Sequence, residues 1–301
     1  MPHNSQQFLK TEVIKRIERL DLRARHIVEG FLSGPHRSRY SGQSIEFRQH
    51  REYAPGDDLR HVDWKVWAKQ DRYYVKQYEA DTNMRCTMLM DASGSMQYGS
   101  GSWNKYEYAA TIVASLAYLV LRQQDVIGCV TFDDAVRVTV PQRSNRNHLE
   151  SIVNALVLDQ PREKTDIGRV LAEVAEGHPR RGMMILVSDL LADPAETLKG
   201  LQLLRQRGHD VLVFHVMDDD ELIFPFTGPT RFEDLEQAAY LHCNPRALRA
   251  GYLEALQVFL HKIRVGCAAH TIDYALLRTS EPIDAALAKY LSNRLGMHGR
   301  N

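Results

Sequence analysis

The chain has 301 residues, 44% apolar and 25% charged, with 38 Lys plus Arg balancing 38 Asp plus Glu. This is the composition of a soluble globular protein with enough length to bury a large core. Zero net charge leaves no overall field toward nucleic acid or an anionic membrane, so bulk nucleic-acid binding is disfavoured. Cys86, Cys129, Cys243 and Cys267 lie apart, without CxxC or Cys/His spacing, which argues against a disulfide framework and against structural zinc. The N-terminus is polar with no signal-peptide pattern, and no apolar run approaches the ~20 residues that span a bilayer; the expected compartment is the cytoplasm.

In chain order, Val13, Ile17, Leu20, Ile27 and Phe31 predict an amphipathic helix over 8–32, closed by Ser33-Gly34-Pro35. The stretch from Gly42 to Glu79 begins and ends in alternating patterns, Ile45 with Phe47 and Tyr73 with Val75, which read as strands. Between them Pro55-Gly56 suits a type II turn, Asp57, Asp58 and Asp63 surround Arg60, and Trp64 and Trp67 lie one helical turn apart. This segment reads either as a small sheet held by ion pairs of low individual worth or as a docking surface, with Asp57, Asp58, Arg60, Asp63 and Trp64 as the partner-binding candidates. From Met84 onward strands and helices alternate. The strands are the apolar run ending at Asp91, Val126 to Phe132, an edge strand through Val136, Val138 and Val140, Met183 to Val187, 211 to 216, and Thr271 to Leu277. Helices follow Asn104, span His148 to Leu158, open at Thr165, run from Ala195 to Arg207 and from Arg246 to Ile263, and end the chain from Pro282 to Leu295. Glu221 to Leu241 reads as a loop or hairpin. Such alternation predicts an α/β fold, a mostly parallel sheet with helices on both faces, preceded by a small N-terminal α/β extension. The division is 1–80 for the extension and 81–301 for the main domain.

An open parallel sheet binds ligands beyond the carboxyl ends of its strands. Three oxygen sources are expected there: Asp91, Ser93 and Ser95 in the loop DASGSM, Thr165 at a helix start, and Asp189 after MMILVS. Two carboxylates and three hydroxyls, with neither Cys nor His, suit a hard cation, Mg²⁺ or Mn²⁺. Each residue also has a plain structural reading, since Ser93 and Ser95 can shape a turn and Thr165 and Asp189 can cap helices.

The run Asp91-Ala92-Ser93-Gly94-Ser95, followed in order by Thr165 and Asp189, resembles the metal-ion-dependent adhesion site of the von Willebrand factor A domain. Upstream, REYAPGDDLRHVDWKVWAK and VKQYEAD are similar to the signature of the domain of unknown function 58 family. The resemblance covers roughly residues 30 to 295. It implies a von Willebrand A-like, Rossmann-like sheet, Mg²⁺ at the five residues named, and a partnership with a MoxR-type AAA+ ATPase in assembling or activating other proteins.

The expected function is therefore a non-enzymatic, metal-dependent protein-interaction module whose metal shell is completed by a Glu or Asp of a partner. The alternative is a metal-dependent phosphohydrolase with Asp91 as nucleophile. It is weakened by Ser93 where such enzymes place a second carboxylate and by the lack of a lysine that obviously belongs to the site. There is also no GxxxxGK[ST] loop and no GxSxG elbow. A third possibility is a scaffold acting through Asp57 to Trp67.

Overall fold

The computed structural model describes residues 18–28, 47–52, 73–78, 84–145, 147–159, 161, 166–228, 230–233 and 240–287. The chain divides into two compact units, Ser38–Asn83 and Met1–Arg37 together with Met84–Asn301. In the smaller unit β1 (Phe47–Glu52) pairs antiparallel with β2 (Tyr74–Tyr78), with an irregularity between Phe47 and Gln49. These are the two strands that the alternation predicts. The partner-binding candidates Asp57, Asp58, Arg60, Asp63 and Trp64 lie outside the described residues.

The larger unit is built on a six-stranded sheet. Its strands are β3 (Arg85–Asp91), β4 (Val126–Phe132), β5 (Val136–Arg143), β6 (Met183–Ser188), β7 (Asp210–Met217) and β10 (Asp273–Arg278), in the order β10-β7-β6-β3-β4-β5. All neighbours are parallel except β5, which runs antiparallel along the β4 edge. The connecting helices are α1 (Lys105–Arg122), α2 (His148–Leu158), α3 (Ile167–Gly177), α4 (Pro194–Gln206), the short α5 (Asp219–Ile223) and α6 (Pro245–Ala269). A hairpin of β8 (Thr230–Glu233) and β9 (Tyr240–Cys243) stands apart from the main sheet. The region from Glu221 to Leu241, expected as a loop or hairpin, thus holds the end of α5, strand β8 and the start of β9.

Because successive strand residues point to opposite faces, each central strand feeds two cores. Met88, Met90, Cys129, Ile185, Val187, Leu212 and Phe214 face α1 and α2, whereas Leu89, Val130, Met184, Leu186, Val211 and Val213 face α3, α4 and α6. Both faces being covered explains why these strands read as continuous apolar runs. Burying side chains of this size contributes about 1.5–3 kcal/mol each.

Residues 18–28 are helical and belong to the larger unit, where Leu20 and Ala24 join the α1 side of the core. Arg23 places its guanidinium 4.7 Å from the centroid of the Trp103 ring, a cation–π contact that ties this helix to the loop before α1.

Strand order reverses at β3. The chain leaves it through α1 toward β4 on one side, while β6 lies on the other. The loops that follow β3 and β6 therefore diverge to opposite faces and leave a crevice between them, the switch point at which such sheets accept ligands.

Candidate functional site

Asp91 is the last residue of β3 and is fully buried. Its Oδ1 accepts the Ser93 amide at 2.9 Å, and its Oδ2 accepts the Ser188 hydroxyl from the end of β6. Ala92 N–H donates to the Phe132 carbonyl at 2.7 Å, so the loop leaves the strand in register with β4. A 3-10 turn, Gly94–Gln97, buries Met96 and brings the Ser93 and Ser95 hydroxyls within 3.1 Å of each other. The chain then folds back: Lys105 N–H donates to the Tyr98 carbonyl at 2.8 Å, and Asn104 caps α1 by accepting Glu107 N–H at 2.7 Å. Asn104 thus satisfies one of the open N–H groups at the start of α1.

Asp189 follows β6 and is 1% exposed. It does not cap the next helix, a role taken by Asp193, whose carboxylate accepts Ala195 N–H at 2.9 Å. Instead its Oδ1 accepts Leu191 N–H at 3.2 Å. The turn after it is fixed by buried Leu190 at φ +53°, whose amide donates to Ser188 Oγ at 2.8 Å. A bulky residue with positive φ is uncommon; here it reverses the chain so that Asp189 stays inside.

Thr165 lies outside the described residues. The helix expected to open at it begins at Ile167 and is capped by Asp166, which accepts Arg169 N–H at 3.1 Å. That start is tied to the site, because Asp166 N–H donates to the Asp133 carbonyl at 3.2 Å just beyond β4. On the other side of the segment, buried Asp159 accepts the Thr131 hydroxyl and an Arg137 guanidinium N–H at 2.7 Å. Gln97 of the 3-10 turn donates to the Pro161 carbonyl at 2.6 Å. The described residues flanking Thr165 are thus anchored next to the Asp91 loop.

One group corrects the sequence reading. A lysine does belong to the site: Lys105, the first residue of α1, is 0% exposed and places its ammonium 2.7 Å from Asp189 Oδ2 and 2.6 Å from Glu221 Oε1. Glu221 in turn accepts Asp218 N–H at 2.9 Å through Oε2, forming the capping box of α5. Asp218 accepts Ser100 N–H at 3.1 Å and Thr279 Oγ at 2.8 Å, and binds the Ser100 hydroxyl as well. Spacing could not reveal this network, since its members come from 84 and 116 residues away. The one local signal is a lysine at the first turn of a helix whose next residues are buried.

The electrostatics follow from burial. Desolvation and the Asp189 charge push the Asp91 carboxyl up to about 7, against the hydrogen bonds that favour its ionised form. Asp189 moves the other way: burial would raise it, but the Lys105 ammonium holds it below the usual carboxylate range. Burial also disfavours the charged form of Lys105, yet the two carboxylates keep it firmly protonated. His215, buried under the site with Nδ1 2.8 Å from the Tyr274 hydroxyl, is pushed down to about 4 by burial and stays neutral.

Asp91, Ser93, Ser95 and Asp189 are therefore brought together, and their oxygens fit a hard cation. Among the described residues no three His, Cys, Asp or Glu side chains gather in a metal-holding group, so any ion here relies on hydroxyls and water for much of its shell. Half-buried Ser95 and the 44%-exposed Leu191 mark where the site reaches the surface.

Over 285 residues the chain is 26% identical to uncharacterized proteins of Mycobacterium tuberculosis and Mycobacterium bovis, covering 91% of this chain and 87% of theirs. Solved structures of similar fold include the conserved hypothetical protein BatB from Bacteroides thetaiotaomicron (16% identity, 70% of this chain and 98% of that one, TM-score 0.42). An aerotolerance-related membrane protein from Bacteroides fragilis matches at 16% identity over 70% of this chain and 99% of that one, with a TM-score of 0.45. The SpRpn10 VWA domain matches at 13% identity over 69% and 95%, with a TM-score of 0.43. These are loose likenesses of fold and carry nothing about activity. The model of the family described as protein of unknown function DUF58 matches residues 49–259, and on that match, which spans most of the sequence, the chain belongs to this family.

Proposed function

We propose that this protein is a metal-dependent protein-interaction module, not an enzyme, acting in the cytoplasm with a MoxR-type AAA+ ATPase in the assembly or activation of other proteins. Mg²⁺, or Mn²⁺, is held by Asp91, Ser93, Ser95, Thr165 and Asp189. The observation that carries the reading is the pairing of two buried carboxylates, Asp91 and Asp189, with the Ser93 and Ser95 hydroxyls 3.1 Å apart at the mouth of the crevice. When bound, a divalent cation supplies positive charge at the surface end of this crevice, to which a Glu or Asp of a partner is drawn.

The chain's own residues do the rest. Ser188 and the Ser93 amide orient Asp91, Leu191 N–H orients Asp189, and the exposed Leu191 beside it offers apolar contact to whatever docks. Pull-down of the ATPase and its client by the native chain should be lost in EDTA and restored by Mg²⁺. Capture indifferent to EDTA, to Mg²⁺ and to Asp91→Ala would reject the proposal.

Lys105 gives the phosphohydrolase alternative the cation it lacked. Against it, Asp91 is fully buried and its two oxygens are oriented by the Ser93 amide and the Ser188 hydroxyl, and Ser93 stands where such enzymes place a second carboxylate. Mg²⁺-stimulated turnover of a generic phosphate monoester, abolished by Asp91→Asn, would revive it.

A further inference from the structure

A lysine in the first turn of a helix faces the positive end of the helix dipole, and a buried ammonium is costly unless fully paired. Lys105 meets both penalties, and capping gives no reason for it, because Asn104 already caps α1. What holds it is the pair of carboxylates on either side of its ammonium, Asp189 at 2.7 Å and Glu221 at 2.6 Å. Both oxygens of Asp189 are thus already engaged, Oδ2 by the Lys105 ammonium and Oδ1 by the Leu191 amide. An ion seeking Asp189 has to contend with a cation already there.

We propose that Lys105 is a resident cation of this site, competing with an incoming divalent ion for Asp189 and passing to Glu221 when that ion binds. Glu221 is placed to receive it, with its side chain 17% exposed and Oε2 anchored on Asp218 N–H. Asp218 in turn holds Ser100, in the loop that carries Ser93 and Ser95. Metal occupancy is thereby coupled to α5 and to the Ser100 loop through one ammonium. Lys105 thus sets the affinity of the site and links it to a surface element that a docking partner can read. This inference rests on the metal-dependent reading above.

The test is calorimetric titration of the full chain with MgCl₂ in two variants. Glu221→Gln leaves Lys105 with Asp189 as its one carboxylate partner and should weaken Mg²⁺ binding several-fold, while Lys105→Met combined with Glu221→Gln should tighten it by about ten-fold, the scale at which outer partners tune metal sites. Shifts of opposite sign are a signature that a merely structural lysine does not give. In the native chain, Mg²⁺ should also change amide hydrogen exchange at 98–104 and 218–224, a measurement that stands even if the double variant does not fold. A native chain that binds no Mg²⁺ overturns the metal-dependent reading and this inference together. Mg²⁺ binding with affinities that shift in the same direction or not at all, or with exchange unchanged at both segments, overturns this inference alone.

Discussion

Ser188 Oγ donates to Asp91 Oδ2 across the β3–β6 boundary while accepting the Leu190 amide at 2.8 Å. One hydroxyl thus couples the two loops of the crevice. Ser188→Ala strips the buried Asp91 carboxylate of a donor and the Leu190 turn of an acceptor. Loss of a buried hydrogen bond to a charged group costs about 1.5–3 kcal/mol, and Mg²⁺ affinity should fall by about ten-fold. Urea unfolding and Mg²⁺ titration of the variant check both figures; a variant equal to native in the two measurements would show that the loops are positioned independently.

The raised Asp91 pKa makes a statement about stability without metal. An acid whose folded-state pKa lies above its unfolded-state value binds protons more readily when folded, so its contribution to stability is lost as pH rises from about 4 to about 7. Asp91→Asn cannot ionise and escapes that loss. In EDTA the stability of the variant relative to native should increase by on the order of 3 kcal/mol between pH 4 and pH 8. Taking the difference between the two proteins cancels the opposite slope from His215, whose depressed pKa favours the folded state as pH rises. A pH-independent difference between the urea midpoints would mean that the Asp91 charge is already compensated.

Gly99 closes the loop between the 3-10 turn and α1. A Cβ there would lie 2.4 Å from the Trp103 carbonyl oxygen and 2.5 Å from Asn104 Cα, both backbone atoms. Neither can swing aside as a side chain can. Gly99→Ala should therefore shift the Asn104 cap, costing at least the ~1 kcal/mol of a lost N-cap, and misplace Lys105 one residue later. A lower melting temperature together with altered Mg²⁺ affinity is the expected result; a change in neither would show that the loop relaxes freely.

Asp159 anchors the chain before Thr165 through Thr131 and Arg137. Asp159→Ala leaves a guanidinium and a hydroxyl in a nearly closed environment without this partner, and breaking a buried pair from one side typically costs about 3–5 kcal/mol. Because Arg137 also reaches Asp133 at 3.2 Å, the lower end is expected. Chemical denaturation measures it, and a cost below about 1 kcal/mol would mark the pair as peripheral.

Much of this architecture is legible in the sequence because periodicity reports burial directly. The runs through Met88, Val130, Leu186 and Val213 are continuous because both sheet faces are covered, and Val136 to Val140 alternate because β5 lies at an edge. The site loop is legible because Asp91 interrupts an apolar strand where burial is complete. Lys105, Glu221 and Ser188 are not, since their roles depend on contacts made over long sequence separations, which no local pattern encodes. Thr165 and Asp166 are both good caps by type, so the sequence does not choose between them; α3 begins at Ile167 with Asp166 as its cap. The Asp57 to Trp67 stretch lies outside the described residues.

The most direct test is calorimetric titration of the native chain and of Asp91→Ala with MgCl₂ at neutral pH. One saturable site per chain in the native protein, abolished by the substitution while the fold persists by circular dichroism, is the expected result. No heat of binding in the native chain, or the same isotherm in both proteins, would contradict a divalent ion held between β3 and β6.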